Sequence, residues 1–121
     1  MSQSEASGGQ DCLFCQIVSG HVPSDKVHET DNVLAFRDIN PGAPTHVLVI
    51  PKEHIASAIE FDKSHGDLLV ELFEVMGEVA RSEGITDGAR IVTNVGSKAG
   101  QSVFHVHFHV VGGRPLSWPP G

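Results

Sequence analysis

The chain has 121 residues, enough to bury one core. Fifteen acidic against eight basic side chains give a net charge of -7, which argues against gripping a nucleic-acid backbone by bulk electrostatics. No apolar run approaches the roughly 18–20 residues of a membrane helix.

Residues 1–10 are polar and rich in small side chains, with no basic patch followed by an apolar run. They read as a disordered tail rather than a signal peptide, which leaves residues 11–121 as a single domain and implies a cytoplasmic location, with the nucleus left open as a second. A short helix is predicted over residues 11–19, with Asp11 as N-cap and Gly20 as its stop. It carries Cys12 and Cys15, whose C-x-x-C spacing in a chain without a secretory signal points to metal or redox chemistry rather than a structural disulfide.

Strands follow near residues 26–29, 33–37 and 46–50, separated by turn signals at Asp31–Asn32 and by the Asn40-Pro41-Gly42-Ala43-Pro44 loop. Helical spacing of Leu68, Leu69, Leu72, Phe73, Met76, Val79 and Ala80 predicts a long helix over residues 64–83, with Ser64 and Asp67 as a capping box and Gly84 beyond its end. Two more strands are expected at 89–94 and 104–111. Strands grouped on either side of one long helix, with a short N-terminal helix, make an α+β fold with an antiparallel sheet.

The most informative run is His105-Val106-His107-Phe108-His109-Val110-Val111. On a strand, alternate side chains share a face, so the three histidines line one surface while Val106, Phe108 and Val110 enter a core. At about 3.4 Å per residue the outer two lie roughly 13 Å apart, too far for one metal ion to hold all three. Imidazole is a nucleophile and a base poised near neutral pH, so a catalytic row is the leading reading, with metal binding by two of the three as its rival. The preceding loop, residues 95–102, has glycines for close approach and donors for phosphate oxygens, although most such loops are plain turns.

Cys12, Cys15, His54 and His105 form a second constellation whose nitrogen and sulfur ligands suit tetrahedral zinc. The same residues also fit ordinary half-buried cysteines and a strand-terminating histidine. His46 and Asp38 decide nothing by themselves.

The histidine run resembles the signature of the histidine-triad (HIT) superfamily of nucleotide hydrolases and transferases. Leu34-Ala35-Phe36-Arg37-Asp38-Ile39-Asn40-Pro41, Ala43-Pro44-Thr45-His46, Val49-Ile50-Pro51-Lys52, Gly100-Gln101-Ser102-Val103, Gly112-Gly113-Arg114 and the terminal Trp118-Pro119-Pro120-Gly121 all resemble its Hint branch. The resemblance implies a homodimeric HIT-like fold. It also implies a purine nucleoside phosphoramidase that hydrolyses nucleoside 5'-phosphoramidates at the phosphorus–nitrogen bond, and aminoacyl adenylates, through a nucleotidyl-histidine.

By the same resemblance His107 is the nucleophile, His109 and His46 flank it, and His105 orients the row. Asp38 matches the ribose-binding acid, while Asn94, Gly100, Gln101 and Ser102 match sugar and phosphate contacts. Leu13, Phe14, Ile17, Phe36 and Ile39 match the walls around the base, and Trp118 the leaving-group side. Arg37 stands where well-known animal members carry histidine, so a purine such as that of AMP or GMP is implied without a choice between them. Members with a C-x-x-C and a distant histidine bind structural zinc, which implies zinc on Cys12, Cys15, His54 and His105; catalysis itself needs no cofactor. The alternatives are a dinucleoside polyphosphate hydrolase and a nucleotide-binding partner protein with incidental turnover.

Overall fold

A computed structural model describes residues 12–121. The expected tail and the Asp11 cap lie outside the described residues. Helix α1 spans Leu13–Ser19, with Cys12 in the N-cap position and Gly20 closing it at a φ of 87°. Strands β1 (Lys26–Glu29), β2 (Val33–Arg37) and β3 (Thr45–Pro51) follow. Helix α2 covers Gly66–Ser82, and β4 (Ala89–Val92) and β5 (Phe108–Gly112) complete the set. The strands form one sheet in the order β1-β2-β3-β5-β4, every pair antiparallel.

Both faces of the central strands are covered, and this is why β2 and β3 read as unbroken apolar runs. Val33 and Ala35 of β2, Val47 and Val49 of β3, and Phe108 and Val110 of β5 join Val106 against Leu72, Val75, Met76 and Val79 of α2. The alternate residues Leu34, Phe36, Leu48 and Ile50 turn the other way, against Cys12, Phe14 and Ile17. The pleat therefore sorts one sequence into two cores, and the thinner one, under α1, borders the site.

Several predicted boundaries move, three of them by two residues or more for reasons the hydrogen bonds show. The helix expected from Ser64 begins at Gly66, because residues 63–65 form a 3-10 turn capped by Asp62 and His65 stands at the N-cap position of α2 without a side-chain cap bond. The Asp62 carboxylate accepts from Ser64 N, and His65 Nδ1 accepts from Asp62 N, closing a capping box over a single 3-10 turn, Lys63–His65. The last strand starts at Phe108, not residue 104, because residues 105–107 leave the ladder: Val106 N donates 2.6 Å to Ile55 O. Its partner β4 stops at Val92 rather than Asn94, where the Thr93 hydroxyl donates to His107 O in place of a ladder bond.

Candidate active site and metal centre

Register puts two histidines together. His109 stands directly opposite Leu48, and His46, two residues before Leu48, shares its face. Their rings meet through His46 Nε2 and His109 Nδ1 at 2.8 Å. Asp38, just past β2, brings Oδ2 to 3.4 Å from His46 Nε2, and its other oxygen accepts from Asn40 N. The His107 ring centre lies 5.1 Å from that of His109 and 5.1 Å from that of Phe14, whose ring edge it meets.

Hydrogen-bond partners fix where each ring carries its proton. A carbonyl only accepts, so the 2.8 Å contact between His107 Nδ1 and His105 O places a proton on Nδ1 and the lone pair on Nε2. A backbone N–H only donates, so Gly42 N at 2.9 Å makes His46 Nδ1 an acceptor and puts that ring's proton on Nε2. His46 Nε2–H then donates to His109 Nδ1, leaving the His109 proton on Nε2, a buried atom with no partner among the described residues. Burial lowers the His109 pKa to about 4, with His107 and His46 adding to it and Asp38 opposing. Burial likewise holds His107 below the ordinary imidazole range, against the opposing pull of the His105 carbonyl and Asp38.

The His107 and His109 rings line a cleft of about 580 Å³, a volume suited to a small-molecule ligand, while His46 stands behind His109 and is not part of the lining. Leu13, Phe14 and Ile17 of α1 and Phe36 of β2 form its apolar wall, Ile39 and Asp38 stand at one side, and Gly100 and Ser102 close another. The sequence also left Leu48, Val103, Pro23, Ser24 and Asp25 unassigned, and all of them line the cleft. Leu48 was findable, since it shares the His46 face by simple alternation. Ser24 and Asp25 carry no comparable signal.

Several expected contacts fall elsewhere. Gln101 is 3% exposed, and its amide braces the loop: Nε2 donates to Ala56 O and Val103 O, and Oε1 accepts from Gly96 N. Asn94 lies behind Gly100, and neither it nor Trp118, which is 80% exposed, lines the cleft. Arg37 lines the rim, but both terminal nitrogens are engaged by Glu83 at 2.8 and 2.9 Å.

His105 departs most from the expected row. Its ring turns from the cleft and is fully buried, with Nε2–H donating to Pro51 O at 2.8 Å. That bond leaves the Nδ1 lone pair directed at Cys12 Sγ, 3.3 Å away, and Cys15 Sγ, 3.5 Å away. His54 Nδ1 reaches Cys15 Sγ at 3.4 Å, so one ligand atom from each of the four residues lies within 4.8 Å of the others. Burial, reinforced by the neighbouring Cys12, pushes the Cys15 thiol up to about 12. A closed set of two sulfurs and two imidazole nitrogens, with the ring tautomer fixed from behind, suits tetrahedral zinc. Asp38, His46 and His109 also converge, but a proton on His46 Nε2 occupies the atom a metal would need.

The HIT domain model matches residues 19–116. The chain is 45% identical over 111 residues to the 14 kDa zinc-binding protein of Zea mays, covering 90% of this chain and 87% of that one. The crystal structure of a HIT family hydrolase from Legionella pneumophila Philadelphia 1 superposes with a TM-score of 0.88 at 47% identity, covering 91% of this chain and 99% of the other. A histidine triad protein from Clostridium difficile gives 0.84 at 42% identity, covering 89% and 95%. The chain belongs to the HIT family, and the two α-helices and five-stranded antiparallel sheet of its described residues are the HIT-like α+β fold.

Proposed function

We propose that this protein is a hydrolase of purine nucleoside 5'-phosphoramidates, releasing the nucleoside monophosphate and an amine. The observation that carries this reading is the His107 tautomer: Nδ1–H is committed to His105 O, so the nucleophilic lone pair sits on Nε2 of a ring lining the cleft. The apolar wall made by Phe14, Phe36, Leu13 and Ile17 matches a two-ring base, and the Asp38 carboxylate matches a ribose diol. The HIT family hydrolase from Legionella pneumophila supports hydrolytic chemistry on this fold.

In the mechanism His107 Nε2 attacks the α-phosphorus, the phosphorus–nitrogen bond breaks, and the nucleotide is carried on the ring. His109 Nε2–H, which has no partner among the described residues, donates to a phosphoryl oxygen as charge builds there. The leaving amine takes its proton from water through the Ser102 hydroxyl, which lines the same cleft. Water then attacks the phosphorus, the bond from phosphorus to His107 Nε2 breaks, and the water's proton returns to solvent in place of the one taken by the amine, leaving His107 as it began. Cys12, Cys15, His54 and His105 would hold zinc, which when bound supplies a structural cross-link behind the catalytic ring.

A second copy of the chain completes the proposed assembly. Val70 and Phe73 of α2 are 60% and 54% exposed, and they form with Leu69 an apolar patch on the outer side of that helix. Strand β4 is an uncovered sheet edge carrying the half-exposed Ile91.

Purified protein mixed with adenosine 5'-phosphoramidate is expected to release AMP, and His107→Ala to lose at least about 10⁴-fold in turnover while still binding AMP. Full activity in the variant removes His107 as nucleophile. Cleavage of a dinucleoside polyphosphate in place of the phosphoramidate would move the reaction to the phosphoanhydride.

A further inference from the structure

We propose that Cys12, Cys15, His54 and His105 are positioning residues for the nucleotide cleft: a zinc ion held by them fastens α1 against the catalytic segment, so zinc and nucleotide bind cooperatively. The proposal rests on the nucleotide reading given above.

Helix α1 has seven residues, far too few to be stable by its own hydrogen bonds. It nevertheless supplies Leu13, Phe14 and Ile17 to the apolar wall of the cleft. Two of the four metal ligands bracket that wall in sequence: Cys12 is the helix's N-cap, its sulfur accepting from Cys15 N at 3.3 Å, and Cys15 lies in the first turn. Phe14, between them, places its ring against both His105 and His107, at centre distances of 6.1 and 5.1 Å.

The other two ligands flank the sheet, His54 three residues beyond the end of β3 and His105 three residues before the start of β5. His105 is tied through its ring to Pro51 O, and its own carbonyl receives the Nδ1–H of His107. One cross-link therefore acts on both halves of the site. It sets the distance of the base wall from the sheet through Phe14, and the direction of the His107 lone pair through the His105 main chain. Without it α1 is held by apolar contact with Phe36 and its neighbours, Phe14 meeting Phe36 at 5.5 Å, and by thiol–imidazole hydrogen bonds from Cys12 and Cys15 to His105 and His54, which are weaker than metal–ligand bonds. A ligand that packs on Phe14 then bears the cost of ordering α1, a cost the bound ion removes.

Linkage requires the effect to be reciprocal: whatever factor zinc adds to nucleotide affinity, nucleotide adds to zinc affinity. Protein stripped of metal by a chelator, checked for its fold by circular dichroism, and the same protein reloaded with zinc would be titrated with AMP in a calorimeter. The zinc-loaded form is expected to bind AMP at least about 5-fold more tightly. Equal dissociation constants in the two forms overturn the proposal while leaving the nucleotide reading intact. Failure of AMP to bind either form removes both. Should the stripped protein unfold, cobalt(II) in place of zinc gives a readout on the loaded protein alone. AMP is expected to shift the cobalt d–d absorption bands through Phe14 and His105, and an unchanged spectrum at saturating AMP overturns the proposal.

Discussion

His109 is denied a second proton by burial and by two neighbouring imidazoles, and this has a consequence for acid stability. Its pKa falls from 6.5 to about 4 on folding. Between those values the unfolded chain binds the proton and the folded chain does not, so stability rises with pH through that window and falls as the solution is acidified from 6.5 towards 4. Urea midpoints measured across this range are expected to decrease with acidification, and His109→Gln to flatten that decrease. A slope unchanged in the variant assigns the effect to other groups. Among single residues, alternation located His109, Val106, Phe108 and Val110 correctly. It misplaced the surroundings of His105, because alternation gives a side chain's face and says nothing of a main-chain departure such as the 105–107 segment. The four metal-ligand candidates were legible from residue type, but their convergence depends on Pro51 O orienting the His105 ring, a partner no spacing could reveal.

The elements show where local signals succeed and where a distant contact overrides them. The apolar runs of β2 and β3 and the helical spacing of α2 are dictated by burial, and they appear where the pattern puts them. Their ends depend on particular hydrogen bonds: the Asp62 carboxylate, a stronger acceptor for a backbone N–H than a hydroxyl, caps a 3-10 turn over Lys63–His65 and so defers the start of α2 to Gly66. Strand β5 ends at a crowded glycine. A Cβ on Gly112 would stand 2.9 Å from Gly88 O and 2.9 Å from Ile85 Cδ1, so the loop after α2 packs directly on the strand backbone. Gly112→Ala is expected to destabilise the protein by about 1–3 kcal/mol, read from denaturant unfolding, since main chain must move to admit the methyl group. A loss below a few tenths of a kcal/mol would show that the loop yields without cost.

At the scale of the whole molecule, the proposed second copy makes the most direct prediction. The double variant Val70→Asp and Ile91→Lys places charge on α2's outer patch and on the β4 edge without entering either core. Sedimentation velocity is expected to show a dimer for the parent and a monomer for the variant. A parent that sediments as a monomer at micromolar concentration removes the proposed assembly. The fold class was readable because both cores are built from regular alternation. The homodimer was implied only by the resemblance: the sequence pattern put Leu69 and Phe73 on the apolar stripe of the long helix and singled out neither Val70 nor Ile91, whose exposure depends on the packing of α2 and on the place of β4 at the sheet edge.

The four metal-ligand candidates are also far apart in time. Cys12 and His105 are separated by 93 positions. At about 5–20 residues per second of synthesis, the interval between their appearances is roughly 5–20 s. For the first part of it the emerging cysteine pair has neither histidine, after His54 is made it still lacks its last ligand, and α1 has no finished surface to lie on. Cleft, cross-link and second core thus come into being together, as the last strand leaves the ribosome.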